Sequence, residues 1–235
     1  MMAKSPVTKN DLKKINRLVT HFKNNQELFI RFSDNVRALF SSDRLSPYVH
    51  SAKWRIKNPD HLRDKLIRKA SDMRLTGKKF DITEENLFER ITDLVGFRIL
   101  HLHTSQFEAI NRIVLDLINE ERWELIEGPT ARTWDDEFRE YFNKLNIKTL
   151  DSQSMYTSVH YVFTANKQKS CAAELQVRTL AEELWGEVDH KINYPHPSAS
   201  SSCREQIKVL ARITSSCTRL VDSIFHSHQE NDEAP

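Results

Sequence analysis

The chain has 235 residues, 39% hydrophobic and 29% charged, which suits an ordinary folded protein with one α/β domain plus added helices, or two small domains. A formal net charge of +2 excludes a strong global field for nucleic acid or membrane, so any polyanion must be met by local clustering. With four glycines and neither GxGxxG nor GxxxxGKS/T, the familiar glycine-rich phosphate loops are excluded, and Cys171, Cys203 and Cys217 show no CxxC spacing, which argues for reduced thiols over disulfides or a cysteine-rich zinc site.

The N-terminal MMAKSPVTKNDLKK is polar and carries no signal-peptide core. No apolar run approaches the roughly 20 residues that span a bilayer. A soluble, cytoplasmic protein with no membrane partner is expected. Apolar residues at mixed three- and four-residue spacing predict helices over Asn10–Lys23 and Gln26–Phe40. Asn58 and Pro59 mark the start of a third helix, as cap and first residue. It carries Leu62, Leu66 and Ile67 as its stripe. Arg55, Lys57, Arg63, Lys65, Arg68 and Lys69 make this the most basic part of the chain.

VGFRILHLH (95–103) alternates as a strand, and 104–120 reads as an amphipathic helix capped by Thr104. WELIE (123–127) is a weaker strand and Trp134–Lys144 a helix; Asp151–Ser154 has turn chemistry. MYTSVHYVFTA (155–165) and AAELQVR (172–178) alternate strongly. A Ser-rich linker then leads to a long helix, and HSHQENDEAP is expected as a frayed polar tail. The fold class is α/β (α+β), a mixed β-sheet flanked by helices. The expected units are an N-terminal helical extension (1–50), a core (51–195), and a C-terminal helix with its tail (196–235).

Residues two apart on a strand share a face. Val159, Tyr161 and Phe163 therefore form an apolar face, opposite Tyr156, Ser158 and His160. On the next strand Leu175 and Val177 oppose Glu174, Gln176 and Arg178. Two polar faces can line one cleft, or each can meet solvent. Thr179-Leu-Ala-Glu182 fits a capping box, which would set a helix N-terminus beside the polar face, as suits phosphate. Glu183 and Glu187 fall on one side of that helix, as site residues or as a solvated acidic face. Asp93 precedes a strand and Gly96 permits close backbone approach; Asp93 is open to metal binding or to a turn role. HExxH is absent, and His101 and His103 alone are weak grounds for zinc. A metal-dependent phosphate-handling enzyme and a binding module both stay open on these residues.

Together these segments resemble the synthetase domain of the RelA/SpoT family of alarmone synthetases, in particular its small single-domain members. RIKNPDHLRDKL is similar to the family's ATP-binding R-x-K-x-x-x-S-x-x-x-K, and ITDLVGFRI to its metal-binding D-x-x-G-x-R. YTSVHYV is similar to Y-R-S-x-H, and AELQVRTLAEELWGEVDH to E-x-Q-x-R-T-x-x-x-x-x-W-x-x-x-x-H. The four segments stand in the family's order over roughly residues 50 to 195.

The resemblance implies a nucleotidyltransferase-like synthetase core, with helical extensions at both ends, that transfers pyrophosphate from ATP to the 3′-hydroxyl of GDP or GTP with Mg²⁺. Asp93 and Glu174 would hold the metal, and Glu174 would also take the hydroxyl proton. Arg55, Lys57, Lys65 and Arg98 would bind ATP. Tyr156 would stack on the acceptor base and His160 would contact its sugar or phosphates, while Gln176 and Arg178 orient ligands and nucleotide.

The chain departs from the pattern at His61 for serine, Met155 for glycine and Thr157 for arginine. Glu183 stands where asparagine is frequent, either reading the two donors of guanine or facing water. No His-Asp dipeptide occurs, so no hydrolase activity is expected. Small members are often tetramers, so a homo-oligomer is implied as a possibility, with Ile207, Leu210, Ile213, Leu220, Val221 and Ile224 serving either the core or an interface. The alternatives are pyrophosphorylation of a tRNA 3′ end and a non-catalytic nucleotide sensor.

Overall fold

The computed structural model describes residues 7–152, 154–165, 171–194 and 198–232. Its elements run α1 (Lys9–Asn24), α2 (Gln26–Phe40), β1 (Ser51–Ile56), α3 (Pro59–Leu75), α4 (Leu87–Arg90), β2 (Val95–His101) and α5 (Gln106–Glu120). They continue with β3 (Glu124–Thr133), α6 (Asp136–Lys144), β4 (Lys148–Asp151), β5 (Ser158–Thr164), β6 (Ala172–Thr179), α7 (Leu180–Asn193) and α8 (Ser201–Asp232). The strands form one mixed sheet in the order β1-β2-β6-β5-β3-β4, the sheet flanked by helices that the alternation predicts. β2 and β6 are parallel, and β5 runs antiparallel to both β6 and β3.

One face of the sheet is apolar. Val159, Tyr161, Phe163, Leu175, Val177, Phe97 and Ile99 are all buried there, under Phe22, Phe29 and Phe40 of the first two helices and Phe107 and Ile110 of α5. Burying a large side chain of this kind contributes about 1.5–3 kcal/mol, so this layer fixes which way each strand faces. The opposite face is left for the polar residues of β1, β2, β5 and β6.

Several boundaries differ from the sequence reading. Thr104 does not cap α5. Ser105 occupies the N-cap without a side-chain bond, and the Thr104 hydroxyl instead donates to Asp222 of α8 at 2.6 Å, its backbone N–H bonding the same carboxylate. A partner more than a hundred residues away outcompetes the local cap. The strand expected over 123–127 runs to Thr133. It bends at Gly128, whose φ of 96° suits glycine and where a Cβ would run into the His160 carbonyl. Two register shifts accompany the bend and break the period-2 pattern.

Met155, Tyr156 and Thr157 of the expected strand lie outside β5, which begins at Ser158. Met155 takes a left-handed conformation (φ 56°), the reason a glycine suits that position. The polar tail is not frayed at its start, because α8 continues as helix to Asp232. Residues 233–235 of the expected tail, and Gln153 of the expected turn, lie outside the described residues.

α8 packs on α7 and reaches the C-terminal end of β6 at Thr179. Ile207 is buried and Leu210 partly so, while Ile213, Leu220 and Ile224 point outward. Buried polar contacts finish the docking. Ser215 and Arg219 donate to Asp135 at 2.6 and 2.8 Å, and the Thr179 and Thr218 hydroxyls meet at 3.3 Å. No helix among the described residues is long and apolar enough to cross a membrane.

Candidate active site

Cross-strand pairing aligns the polar side chains in rows. Lys53 of β1 pairs with Arg98 of β2, Arg98 with Gln176 of β6, Gln176 with His160 of β5, and His160 with Thr130 of β3. One step along, Arg55 pairs with Gly96 and Gly96 with Glu174. Residues directly opposite in a sheet share a face, so four of the segments singled out in the sequence converge on one surface. A cleft of about 240 Å³ opens there, lined by Lys53, Arg55, Asp93, Arg98, Glu174, Gln176, Glu187 and His190 among others. A second cleft of about 170 Å³ adjoins it, sharing Arg55, Asp93 and His190 and adding Lys57, His61, Lys65, Arg68 and Tyr194. Gly96 leaves room for Arg55, whose side chain a Cβ at Gly96 would touch at 3.6 Å.

Asp93 sits in the turn before β2 with Lys57 at 2.6 Å and Lys65 at 2.8 Å, both on Oδ2. Its Oδ1 is buried without a partner. Burial opposes ionisation of Asp93, yet the Lys65 and Lys57 ammonium groups outweigh it and hold the carboxyl below the usual range. Glu174 accepts from Gln176 Nε2 at 2.9 Å and meets His160 Nδ1 at 2.9 Å, both on Oε1. Burial again works against the charge, but the His160 and Gln176 hydrogen bonds and the His160 and Lys65 charges prevail, and its pKa is lowered to about 2. His160 Nε2 is buried without a partner.

Asp93 and Glu174 thus each keep one carboxylate oxygen clear of these hydrogen bonds while lining one cleft. Hard oxygen donors of this kind fit Mg²⁺, and Asp93 Oδ1 is a buried carboxylate oxygen left without a hydrogen-bond partner. His101 and His103 are not part of the site. His101 Nδ1 contacts the His103 carbonyl, and the His103 ring stacks on Phe225 at 4.1 Å.

Glu183 is neither solvated nor open. It is 5% exposed, and its carboxylate gathers three cations from three strands. Lys53 lies at 2.7 Å and Arg98 at 3.2 Å from Oε1, and Arg178 is in contact with Oε2. Glu187 adds a second carboxylate to Arg98 at 3.0 Å. Burial resists this charge, and Arg178, Lys53 and Arg98 together still hold the Glu183 carboxyl down. The sequence spacing set Glu183 and Glu187 on one side of α7; the cations facing them come from chain segments far away.

Thr179 caps α7 as expected, its hydroxyl accepting from the Glu182 N–H at 3.2 Å. The reciprocal arm of the capping box is absent, because the Glu182 carboxylate turns to the Thr157 N–H at 3.0 Å. Tyr156 lies above the sheet between His160 (centroids 6.1 Å) and Trp185 of α7 (6.3 Å, rings within 20° of parallel). Trp185 is fixed in turn by donating to the Ile207 carbonyl of α8 at 3.0 Å. Lys53, Arg68 and Arg132 are neighbours of the site that were not among the expected site residues, and Glu182 was expected only as part of a helix cap. Of these, Arg68 belongs to the basic segment and Lys53 stands just before it.

Residues 54–199 match a family model described as the region found in RelA/SpoT proteins. Among solved structures, a GTP pyrophosphokinase family protein from Streptococcus pneumoniae is similar with a TM-score of 0.60 and 19% identity, over 89% of this chain and 93% of that one. Small alarmone synthetase 1 from Bacillus subtilis bound to its product pppGpp gives 0.55 and 18% identity, over 94% of this chain and 100% of that one. The same synthetase bound to AMPCPP gives 0.52 and 15%, over 92% and 98%. At these identities the likeness is one of fold. A search of curated proteins returns no match.

Proposed function

The chain belongs to the RelA/SpoT family, and on that footing we propose that it is a pyrophosphotransferase moving the β,γ-pyrophosphate of ATP to the 3′-hydroxyl of GDP or GTP. The observation that carries the reading is the convergence of Asp93 and Glu174 on one cleft, with Arg55, Lys57, Lys65 and Arg68 lining the chamber beside it. In this reading the cationic chamber takes the triphosphate. Guanidinium and ammonium donors neutralise the charge that shifts onto the leaving oxygen. The new bond joins the acceptor O3′ to the β-phosphorus, the bond between the α,β-bridging oxygen and the β-phosphorus breaks, and AMP departs.

Asp93 and Glu174 are the residues suited to hold Mg²⁺, which when bound would supply charge neutralisation for the phosphates. Glu174 also accepts a hydrogen bond from the 3′-hydroxyl. With its pKa near 2 it stays ionised throughout the working range and polarises the O–H, the proton passing on to solvent as the bond forms. Gln176 fixes the orientation of Glu174. Tyr156 offers its ring to the acceptor base and His160 borders the sugar. Glu183 pins Arg98, Arg178 and Lys53, so in this reading it shapes the pocket wall through cations rather than through the base itself. No hydrolase activity accompanies the transfer.

The test is purified protein with ATP labelled in its terminal phosphates, Mg²⁺, and GDP, GTP or tRNA supplied separately. Label on GDP or GTP supports the reading. Label on tRNA alone refutes it.

A further inference from the structure

We propose that Arg132 is a ligand for a phosphate of the acceptor, supplying from β3 the guanidinium that the acceptor segment lacks at Thr157. The inference rests on the reading above that the Tyr156–His160 end of the site receives the acceptor. Thr157 itself cannot reach a nucleotide. Its hydroxyl meets that of Thr133 at 2.9 Å inside the protein, and its N–H is taken by Glu182. The segment that would bring a cation to the acceptor therefore turns inward at that position.

Arg132 stands on the neighbouring strand at the same level. It pairs with Ser158, while Thr130, two residues earlier on β3, pairs with His160. Arg132 thus shares a sheet face with His160 and lies one residue from Thr157 across the ladder. Its positive charge favours the ionised form of the Tyr156 phenol, which burial otherwise disfavours. Its Nε is shielded from solvent and has no partner, and among the described residues Arg132 makes no ion pair. Arg98, Arg178 and Lys53 are all committed to Glu183.

A half-buried guanidinium with an unsatisfied N–H and no carboxylate, beside the ring that would carry the base, is suited to a bidentate phosphate contact. The phosphate is the 5′-di- or triphosphate of a guanine nucleotide or, under RNA modification, a phosphodiester near a 3′ end.

The test is equilibrium binding of guanosine, GDP, GTP and tRNA to the wild-type protein and to Arg132→Ala, Arg132→Lys and Tyr156→Phe, with ATP as the control. Arg132→Ala is expected to weaken GDP and GTP about 10- to 100-fold, the scale of a charged hydrogen-bonding pair. Guanosine and ATP should be unaffected, Arg132→Lys should recover part of the loss, and Tyr156→Phe should retain phosphate-dependent binding. A loss confined to tRNA supports the same role with RNA as the phosphate source. Equal losses for guanosine and GDP, the same loss in Tyr156→Phe, or no loss for any phosphate-bearing acceptor overturns the proposal. Pyrophosphate transfer by the wild-type protein is followed separately, so failure of the enzyme reading is seen independently of the binding contrast.

Discussion

Glu182 gives a pH-dependent stability with a definite sign. Its side chain is 2% exposed, Oε2 accepts from the Thr157 N–H, and Oε1 is buried without a partner. Burial raises its pKa from 4.5 to about 7; the Thr157 N–H and Arg178 oppose the rise, and Asp135 reinforces it. The folded protein therefore keeps a proton that the unfolded chain releases. The associated stability is fully present below pH 4.5 and is lost as the pH climbs through about 7. At about 1.4 kcal/mol per pH unit, the span is on the order of 3 kcal/mol.

Glu182→Gln keeps an oxygen for the Thr157 N–H and cannot ionise. It should match the wild type near pH 4.5 and exceed it at pH 8 by about 3 kcal/mol. For a chain of this length that is a rise in Tm of about 6–12 °C. Thermal unfolding followed by circular dichroism at both pH values measures it. A gain of equal size at both, or a loss at pH 8, would refute the assignment of a strained buried carboxylate to Glu182.

Three further outcomes follow from the site. Glu174→Gln should abolish transfer while the far-UV circular dichroism spectrum stays that of the folded wild type, and near-normal turnover would remove Glu174 from the chemistry. Gly186→Ala would set a Cβ 2.7 Å from Arg178 Nη1, and Arg178 is buried and pinned by Glu183. Overpacking of that kind costs about 1–3 kcal/mol, read by urea denaturation, and an unchanged midpoint would mean that Arg178 moves freely. Tyr156→Ala should weaken acceptor binding by about 1–3 kcal/mol, the scale of base stacking, with ATP affinity unchanged. Loss confined to ATP would contradict the stacking role.

β5 and β6 were legible because each has one apolar face, buried in the core, and one polar face. Val159, Tyr161 and Phe163 on β5, and Leu175 and Val177 on β6, announce the sheet by alternation alone. β1 was not legible. It lies at the sheet edge with its middle four residues exposed, so Lys53 and Arg55 read as part of a basic stretch rather than as a strand. β4 has four residues and no buried position. Arg132 was hidden by the bend at Gly128 and the two register shifts of β3, which end the period-2 signal near residue 127.

Glu183 shows a different limit. Helical spacing gives the side of α7 it occupies. What it meets there depends on strand order, which brings Lys53, Arg98 and Arg178 from β1, β2 and β6 to one carboxylate. Thr104 illustrates the same point, since its cap was displaced by Asp222 from the far end of the chain.

The central claim, that this pocket transfers an intact pyrophosphate to a guanine nucleotide, is tested most directly by quantifying both products of one reaction. ATP and GDP are incubated with protein and Mg²⁺, and AMP and the guanosine product are resolved by chromatography with mass detection. AMP and a 3′-pyrophosphorylated guanine nucleotide are expected in equal amounts. Release of ADP in place of AMP, or of AMP with no guanosine product, would contradict the claim.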